Sequence, residues 1–158
     1  MKIHLLAIGR AKEEADLTED YLNRARGLGR TCGISAVNAR DLPESRLATA
    51  ALRSAAEASE LESLLPPNAF RIVLDERGKA MTSAAFAGLF RKHLDSGTGD
   101  MAFLIGGPDG HGAALRDKAG LLLSLGPMTW PHRLVRLMLA EQIYRAVTIL
   151  VNHPYHRP

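Results

Sequence analysis

The sequence predicts an α/β fold: one domain around a mainly parallel sheet of about five strands, with helices on both faces. Two observations support this class. Short apolar runs that suit buried strands alternate along the chain with longer segments of helical periodicity. The length of 158 residues is near the commonest size of one domain, and 46% hydrophobic and 23% charged residues are ordinary globular values. A single domain over residues 1–158 is therefore expected.

The strands are predicted where apolar and β-branched residues cluster between glycines or polar turns. They are expected at residues 2–9, 32–37, 70–74 and 101–105, and residues 125–130 form either a short last strand or a loop. Polar turns are predicted at residues 75–78 and 106–110, and a polar loop at residues 41–45. Because ligands of parallel sheets bind outside the carboxyl ends of the strands, the exits after Leu74 and Ile105 and the segment at Trp130 are the expected site.

The helices are predicted from apolar faces and from residues that begin or end them. They are expected at residues 16–26, 47–65, 83–92, 113–122 and 133–151. Gly27 and Gly29 should end the first helix, the two prolines at 66 and 67 should end the second, and Thr82 can cap the third. The last helix contains the longest apolar stretch of the chain, residues 134–151, but charged residues in its middle are costly in lipid, so it should be a soluble helix.

Cysteine usage and the first residues indicate a compartment. Cys32 is the only cysteine, so no internal disulfide can form, and its expected role is a small apolar filler in the second strand. The opening apolar run is too short for a signal peptide. A cytoplasmic protein is expected, with no membrane span.

Three glycines at 106, 107 and 110 make the most unusual loop of the sequence. Glycines let a ligand approach main-chain amides closely, but this spacing matches neither a phosphate-binding loop nor a dinucleotide fingerprint. A plain tight turn and a nucleoside site both remain open from the pattern alone.

Other polar residues suggest weaker hypotheses. Asp75 and Asp109 could form the acid–base pair of a hydrolase, although both occur in turn sequences that favour aspartate anyway. His153 and His156 resemble half a metal site but have no acidic third ligand nearby, so no metal is expected. The net charge is +3 and the C-terminal end is basic, which allows an RNA partner or merely a solvated surface.

Three segments together resemble one family. They are Leu-Asp-Glu-Arg-Gly-Lys at 74–79, Phe-Leu-Ile-Gly-Gly-Pro-Asp-Gly at 103–110, and an ending that joins Met-Thr-Trp-Pro-His at 128–132 through Glu-Gln-Ile-Tyr-Arg at 141–145 to Asn-His-Pro-Tyr-His at 152–156. They are similar to the bacterial large-subunit ribosomal RNA methyltransferases of the SPOUT class, which methylate N-3 of a pseudouridine. The resemblance covers the whole chain.

The resemblance implies a homodimer with a C-terminal trefoil knot, a rare exception to unknotted folds, in which S-adenosylmethionine binds. The positions that match cofactor contacts are Leu74, Gly106, Leu125, Gly126, Pro127, Met128, Thr129 and Trp130. Gly126, Pro127 and Trp130 depart from the commoner residues of the family, so packing around adenine could differ.

The resemblance also implies that the C-terminal helix and tail face ribosomal RNA, with the assembled ribosome as the expected substrate. Arg145 and His153 are expected to bind phosphate or base, Tyr155 and His156 to orient or deprotonate the target, and Glu141 to steady Arg145. Glu141 and Arg145 stand four residues apart on one helix, a spacing that also occurs in ordinary surface ion pairs. The alternative function is an RNA- or ribosome-binding module without catalysis.

Overall fold

Five short apolar segments form one fully parallel sheet in a computed structural model, which describes residues 1–10 and 12–157. The strands are β1 Lys2–Ile8, β2 Ala36–Leu42, β3 Phe70–Ala80, β4 Asp100–Ile105 and β5 Leu121–Ser124. Their order across the sheet is β2-β1-β4-β3-β5. The α/β class, the strand number and the parallel sheet are thus confirmed.

Helices cover both faces of the sheet, as predicted. They are α1 Ala15–Gly29, α2 Ala50–Ser63, α3 Ser83–Asp95, α4 Ala113–Asp117 and α5 His132–Leu150. Alternate residues of β1 divide the core in two: Leu5 packs in a cluster with residues of α1, α3 and α5, whereas Leu6 packs in a second cluster with residues of α2 and α4. This alternation follows from the two-residue period of a strand.

The capping prediction for α3 is confirmed. The hydroxyl of Thr82 accepts a hydrogen bond from the amide of Ala85 at 3.1 Å. The last helix also agrees with its prediction to within one residue at each end.

The prediction for the second strand was wrong. The chain continues from α1 through Gly27 and Gly29 into a 3₁₀ turn at Arg30–Cys32, and it reverses only at Gly33, where φ is +91°. A glycine ends a helix when it takes a left-handed conformation, and Gly33 is the first to do so here. Cys32 therefore lies in this turn, and its thiol approaches the carbonyl of Gly29 at 3.2 Å. The strand begins only at Ala36 and includes Asp41, which was expected in a loop.

Two further predictions are corrected around β5. The helix expected at residues 113–122 ends at Asp117, because the apolar residues that follow pair with β3 as the strand Leu121–Ser124. Residues 125–130 form a loop. The turn expected at residues 75–78 lies inside β3, which is irregular there and then pairs Lys79 and Ala80 with β5.

The topology brings the ends of two strands beside the irregular part of a third. Because β4, β3 and β5 are parallel neighbours, Ile105 and Ser124 lie at the same edge of the sheet as Leu74, the last residue of β3 before its register shifts. None of the helices in the described ranges is long and apolar enough to cross a membrane.

Candidate active site

A cavity of about 340 Å³ opens where β4, β3 and β5 end. Its size falls within the range of small-molecule sites, roughly 300–1,000 Å³. Seven of the eight residues predicted to contact a cofactor line it: Leu74, Gly106, Leu125, Gly126, Met128, Thr129 and Trp130. Pro127 lies in the same loop without lining the cavity. The strand exits are thus brought together as the parallel topology predicted.

The glycine-rich loop forms one wall of this cavity. A Cβ atom on Gly106 would lie 3.2 Å from the main-chain carbon of Gly110 and 3.2 Å from the imidazole of His111, so a side chain there would crowd both. Gly110 has φ of +69°, and its amide donates to the carbonyl of Gly107 at 2.9 Å. The loop is therefore a tight turn and a cavity wall at once, and the two alternatives from the sequence are compatible.

Asp75 directly follows Leu74, where β3 becomes irregular, and its side chain is only 6% exposed. It accepts hydrogen bonds from the amide and the guanidinium of Arg77 at 2.9 and 3.1 Å, and Arg116 lies 3.6 Å away. Burial alone would raise the pKa of Asp75, but the hydrogen bonds and positive charges outweigh it and lower the pKa. Asp75 is an ionised anchor of its loop.

Asp109 is also held by an arginine. Both of its carboxylate oxygens accept from Arg53, at 2.6 and 3.1 Å, and this hydrogen bonding is the main reason why the pKa of Asp109 is lowered. A hydrolytic pair needs one carboxyl group with a raised pKa to donate a proton. Since the pKa values of Asp75 and Asp109 are both lowered, their geometry gives no support to the hydrolase hypothesis.

Two nitrogen-containing rings of the cavity have distinct environments. The Nε2 atom of His111 lies 3.2 Å from the carbonyl oxygen of Leu104, to which it donates, and burial lowers the pKa of this histidine. The indole N–H of Trp130 is buried and has no hydrogen-bond partner among the described residues. A buried donor without a partner favours a ligand acceptor or an ordered water beside it.

A second group of predicted residues clusters on α5 and the C-terminal tail. One carboxylate oxygen of Glu141 accepts from Arg145 at 2.9 and 2.5 Å and from the hydroxyl of Tyr155 at 2.9 Å. The guanidinium of Arg145 lies over the ring of Tyr155, 4.9 Å from its centroid. Burial, together with hydrogen bonds to Tyr21 and Glu141, raises the pKa of Tyr155. Tyr155 is consequently a neutral phenol near pH 7.

The two predicted histidines lie in this same tail. The Nδ1 atom of His153 accepts from the amide of Tyr155 at 3.2 Å. The Nδ1 atom of His156 is buried and has no partner among the described residues. In the part of the chain that the structure describes, no group of three residues could hold a metal ion.

The cavity and the C-terminal cluster are separated within one chain. Val135 lines the cavity, whereas Arg145 lies ten residues further along α5. At 1.5 Å per residue this separation is about 15 Å along the helix axis. The structure therefore joins the expected cofactor contacts in one place and the expected RNA contacts in another.

A larger, mainly apolar groove of about 610 Å³ lies between α1 and α5. Leu17 and Tyr21 of α1 line one side, and Met138 and Glu141 of α5 line the other. The groove shares residues 123–126 with the cavity, so this segment has one face toward each.

Sequence reasoning missed several residues around the cavity. His111 and Arg116 follow the exit of β4, so their position close behind the glycines was an available signal. Arg53 had no such signal, because it is 56 residues from its partner Asp109.

Comparison with known proteins gives a consistent result. The family model described as "Predicted SPOUT methyltransferase" matches residues 1–156. Proteins named "Ribosomal RNA large subunit methyltransferase H" from Allorhizobium ampelinum, Agrobacterium fabrum and Brucella anthropi are 49%, 47% and 46% identical to this chain, and each alignment covers 99% of both sequences. The crystal structure of a probable methyltransferase from Bordetella pertussis Tohama I shares the fold, with a TM-score of 0.53 and 18% identity over 92% of this chain and 95% of that one.

Proposed function

The chain belongs to the SPOUT methyltransferase family, and from this premise we propose that it transfers a methyl group from S-adenosylmethionine to N-3 of a pseudouridine in large-subunit ribosomal RNA. The observation that carries the proposal is full-length identity of 46–49% to proteins named as large-subunit ribosomal RNA methyltransferases. We place this activity in one domain over residues 1–158 and in the cytoplasm.

The cavity at the strand ends fits S-adenosylmethionine by size and by chemistry. Apolar side chains such as Leu125 and Trp130 suit the adenine ring, and the buried indole N–H of Trp130 lacks a partner that a ligand could supply. The bare main chain at Gly106 permits close approach.

The chemistry asks mainly for orientation. When bound, S-adenosylmethionine supplies an electrophilic methyl group with its own leaving group on a sulfonium sulfur. The protein has to align that methyl group with a nitrogen and to accept the N-3 proton of the base. The seven predicted cofactor contacts that line the cavity would hold the ligand, with Pro127 shaping the same loop, and the C-terminal cluster would hold the RNA.

Within that cluster the geometry suggests a division of roles. Arg145 and His153 present positive charge or hydrogen bonds to RNA. The neutral hydroxyl of Tyr155 donates to Glu141, so it can orient groups but is a poor proton acceptor. His156 carries an imidazole, a side chain that can take up a proton, and is the better candidate for receiving the N-3 proton.

A homodimer would resolve the separation of about 15 Å between the cavity and the cluster within one chain. We propose that the apolar groove between α1 and α5 packs against a second copy. The groove has an exposed leucine, Leu17, and it adjoins both Glu141 and the cavity wall at residues 123–126. A partner chain seated there could bring its own C-terminal tail to this cavity.

A trefoil knot is the finer proposal for the fold. Leu123 of β5 pairs with both Leu74 and Lys79 of β3, and a Cβ on Gly78 would lie within 2.7 Å of the main chain of Leu123. These contacts support a path in which residues 74–80 pass closely around β5.

The proposal is tested by methyl transfer. Labelled S-adenosylmethionine and the purified protein are incubated with ribosomes, and separately with free ribosomal RNA, from cells that lack this enzyme, and the modified nucleotide is mapped. We expect label at N-3 of one pseudouridine. Ribosome binding without cofactor binding or label would instead support a non-catalytic RNA-binding module.

A further inference from the structure

The glycine-rich loop at residues 106–110 needs support from outside itself. Three of its five residues are glycines, which lose the most conformational freedom on ordering. Its internal main-chain hydrogen bond among the described residues is the one from Gly110 to Gly107. A loop of this kind forms a defined cavity wall only if other elements hold it.

Arg53 of α2 provides such a hold. Its Nε and one terminal nitrogen donate to the two carboxylate oxygens of Asp109 at 2.6 and 3.1 Å, and its other terminal nitrogen donates to the carbonyl of Leu47 at 3.0 Å. All three guanidinium nitrogens are therefore engaged. A two-pronged arginine–carboxylate contact fixes direction as well as distance.

One turn further along α2, Glu57 lies against the same loop. Its carboxylate accepts from the amide of Ser45 at 2.8 Å and its side chain is buried. A Cβ on Gly107 would lie 3.1 Å from this carboxylate and 3.0 Å from Ile8, so the loop is packed between α2 and β1. The outer side of the loop thus contacts α2, while its inner side lines the cavity.

We infer that Arg53 is a positioning residue for the cofactor, which acts by fixing Asp109 and with it the glycine-rich wall of the cavity. Arg53 is absent from the cavity lining, whereas Asp109 belongs to it. The lowered pKa of Asp109 keeps the contact ionic near neutral pH. This inference rests on the proposed use of S-adenosylmethionine for its effect on affinity, but not for its effect on the loop.

The first test measures the dissociation constant for S-adenosylmethionine by titration calorimetry on the full-length protein. Arg53→Ala should weaken binding about five- to ten-fold, since it removes a charge-assisted contact that orders the loop. The dissociation constant of Arg53→Lys should lie between those of the natural protein and Arg53→Ala, because lysine keeps the positive charge but cannot make the two parallel hydrogen bonds of a guanidinium. In a protein that already carries Asp109→Ala, the further change Arg53→Ala should raise the dissociation constant by less than about two-fold, because the two residues act as one unit.

A matched control uses the same helix. Glu62 of α2 forms an ion pair with Lys118 at 2.8 Å, away from the loop. Glu62→Ala breaks a contact of α2 to another part of the chain, so it should leave the affinity within about two-fold of the natural protein.

The second test follows amide hydrogen exchange in the free protein. Arg53→Ala should speed exchange at residues 106–112 about five-fold or more and leave α3 unchanged. Equal affinity and equal exchange in the variant would overturn the inference, as would an Arg53→Ala effect that persists in full in the Asp109→Ala background. A natural protein that does not bind S-adenosylmethionine would refute the proposed cofactor, while the exchange result would still decide whether Arg53 holds the loop.

Discussion

No side chain fits at Gly78, where β3 and β5 approach each other closely. A Cβ atom added to Gly78 would lie 2.6 Å from the carbonyl carbon of Leu122 and 2.7 Å from main-chain atoms of Leu123. Main chain cannot move aside as the end of a flexible side chain can, so the two strands approach this closely only because residue 78 has no side chain.

Gly78→Ala should therefore lower the free energy of unfolding by about 2 kcal/mol or more, through forced separation of β3 and β5. Urea denaturation measures the effect. Gly88→Ala is the control, because Gly88 is exposed in α3 and a Cβ atom added there would have nothing within 4 Å. Alanine at this position should raise the free energy of unfolding by about 0.5–1 kcal/mol. A neutral result at Gly78 would contradict the close approach.

His111 predicts a pH dependence of stability. Burial lowers its pKa in the folded protein, so the unfolded chain binds a proton more readily. The contribution of neutral His111 is complete above the ordinary histidine value of 6.5 and is lost as the pH falls below it. In His111→Gln, the unfolding free energy should decline less between pH 7 and pH 5 than in the natural protein. The difference in unfolding free energy between the two proteins should be constant above pH 7.5. If the two proteins lose stability in parallel down to pH 5, His111 is not the cause of the pH dependence.

At the scale of elements, α5 connects the two parts of the proposed site. Its first turn lines the cavity through His132 and Val135, and its second half carries Glu141 and Arg145. The tail folds back onto the helix through Tyr155, whose hydroxyl bonds Glu141 and whose ring packs 4.6 Å from that of Tyr144. The helix and the tail thus act as one unit that presents the residues proposed to bind RNA.

Tyr155→Phe removes the hydroxyl from this unit and keeps the ring. We expect methyl transfer to fall about ten-fold, because the bond to a charged carboxylate is lost and the cluster is less well ordered. Affinity for S-adenosylmethionine should change by less than about two-fold, since Tyr155 is not among the residues that line the cavity. Tyr144→Phe, which removes a phenol hydroxyl from the same aromatic group, serves as the control. Equal turnover in the two variants would argue against a role for the Tyr155 hydroxyl.

For the whole molecule, the apolar groove is the most informative surface. It exposes Leu17 at 48% and lies beside the segment at residues 123–126 that also forms the cavity wall. Contiguous exposed apolar surface marks an interface more often than scattered apolar residues do. A chain with a complete cavity but a remote C-terminal cluster is consistent with a site completed by assembly.

Leu17→Glu should convert the proposed dimer to a monomer, because a charge in a buried apolar interface is strongly unfavourable. Light scattering after gel filtration should show a mass near twice 17.1 kDa for the natural protein and near 17.1 kDa for the variant, and methyl transfer should be lost with the dimer. Leu52→Glu is the matched control, since Leu52 is 53% exposed on α2, outside the groove. A monomeric natural protein with full activity would refute the dimer.

The α/β class, the parallel sheet and the location of the cavity at the carboxyl edge of the sheet could all be predicted from the amino-acid sequence. Local signals were sufficient here: apolar runs specify buried strands, Thr82 caps its helix, and the segments after Leu74 and Ile105 meet because parallel neighbours end at one edge. The resemblance to a family also depended only on short motifs in sequence order.

Tertiary structure alone decided what depends on contacts between distant residues. The strand at Leu121–Ser124 forms because it pairs with β3, although its sequence also suits a helix. Arg53 meets Asp109 only because α2 and the loop after β4 pack on the same face. The separation of Arg145 from the cavity follows from the unbroken helix α5, since helical rise rather than residue type fixes the distance between two positions.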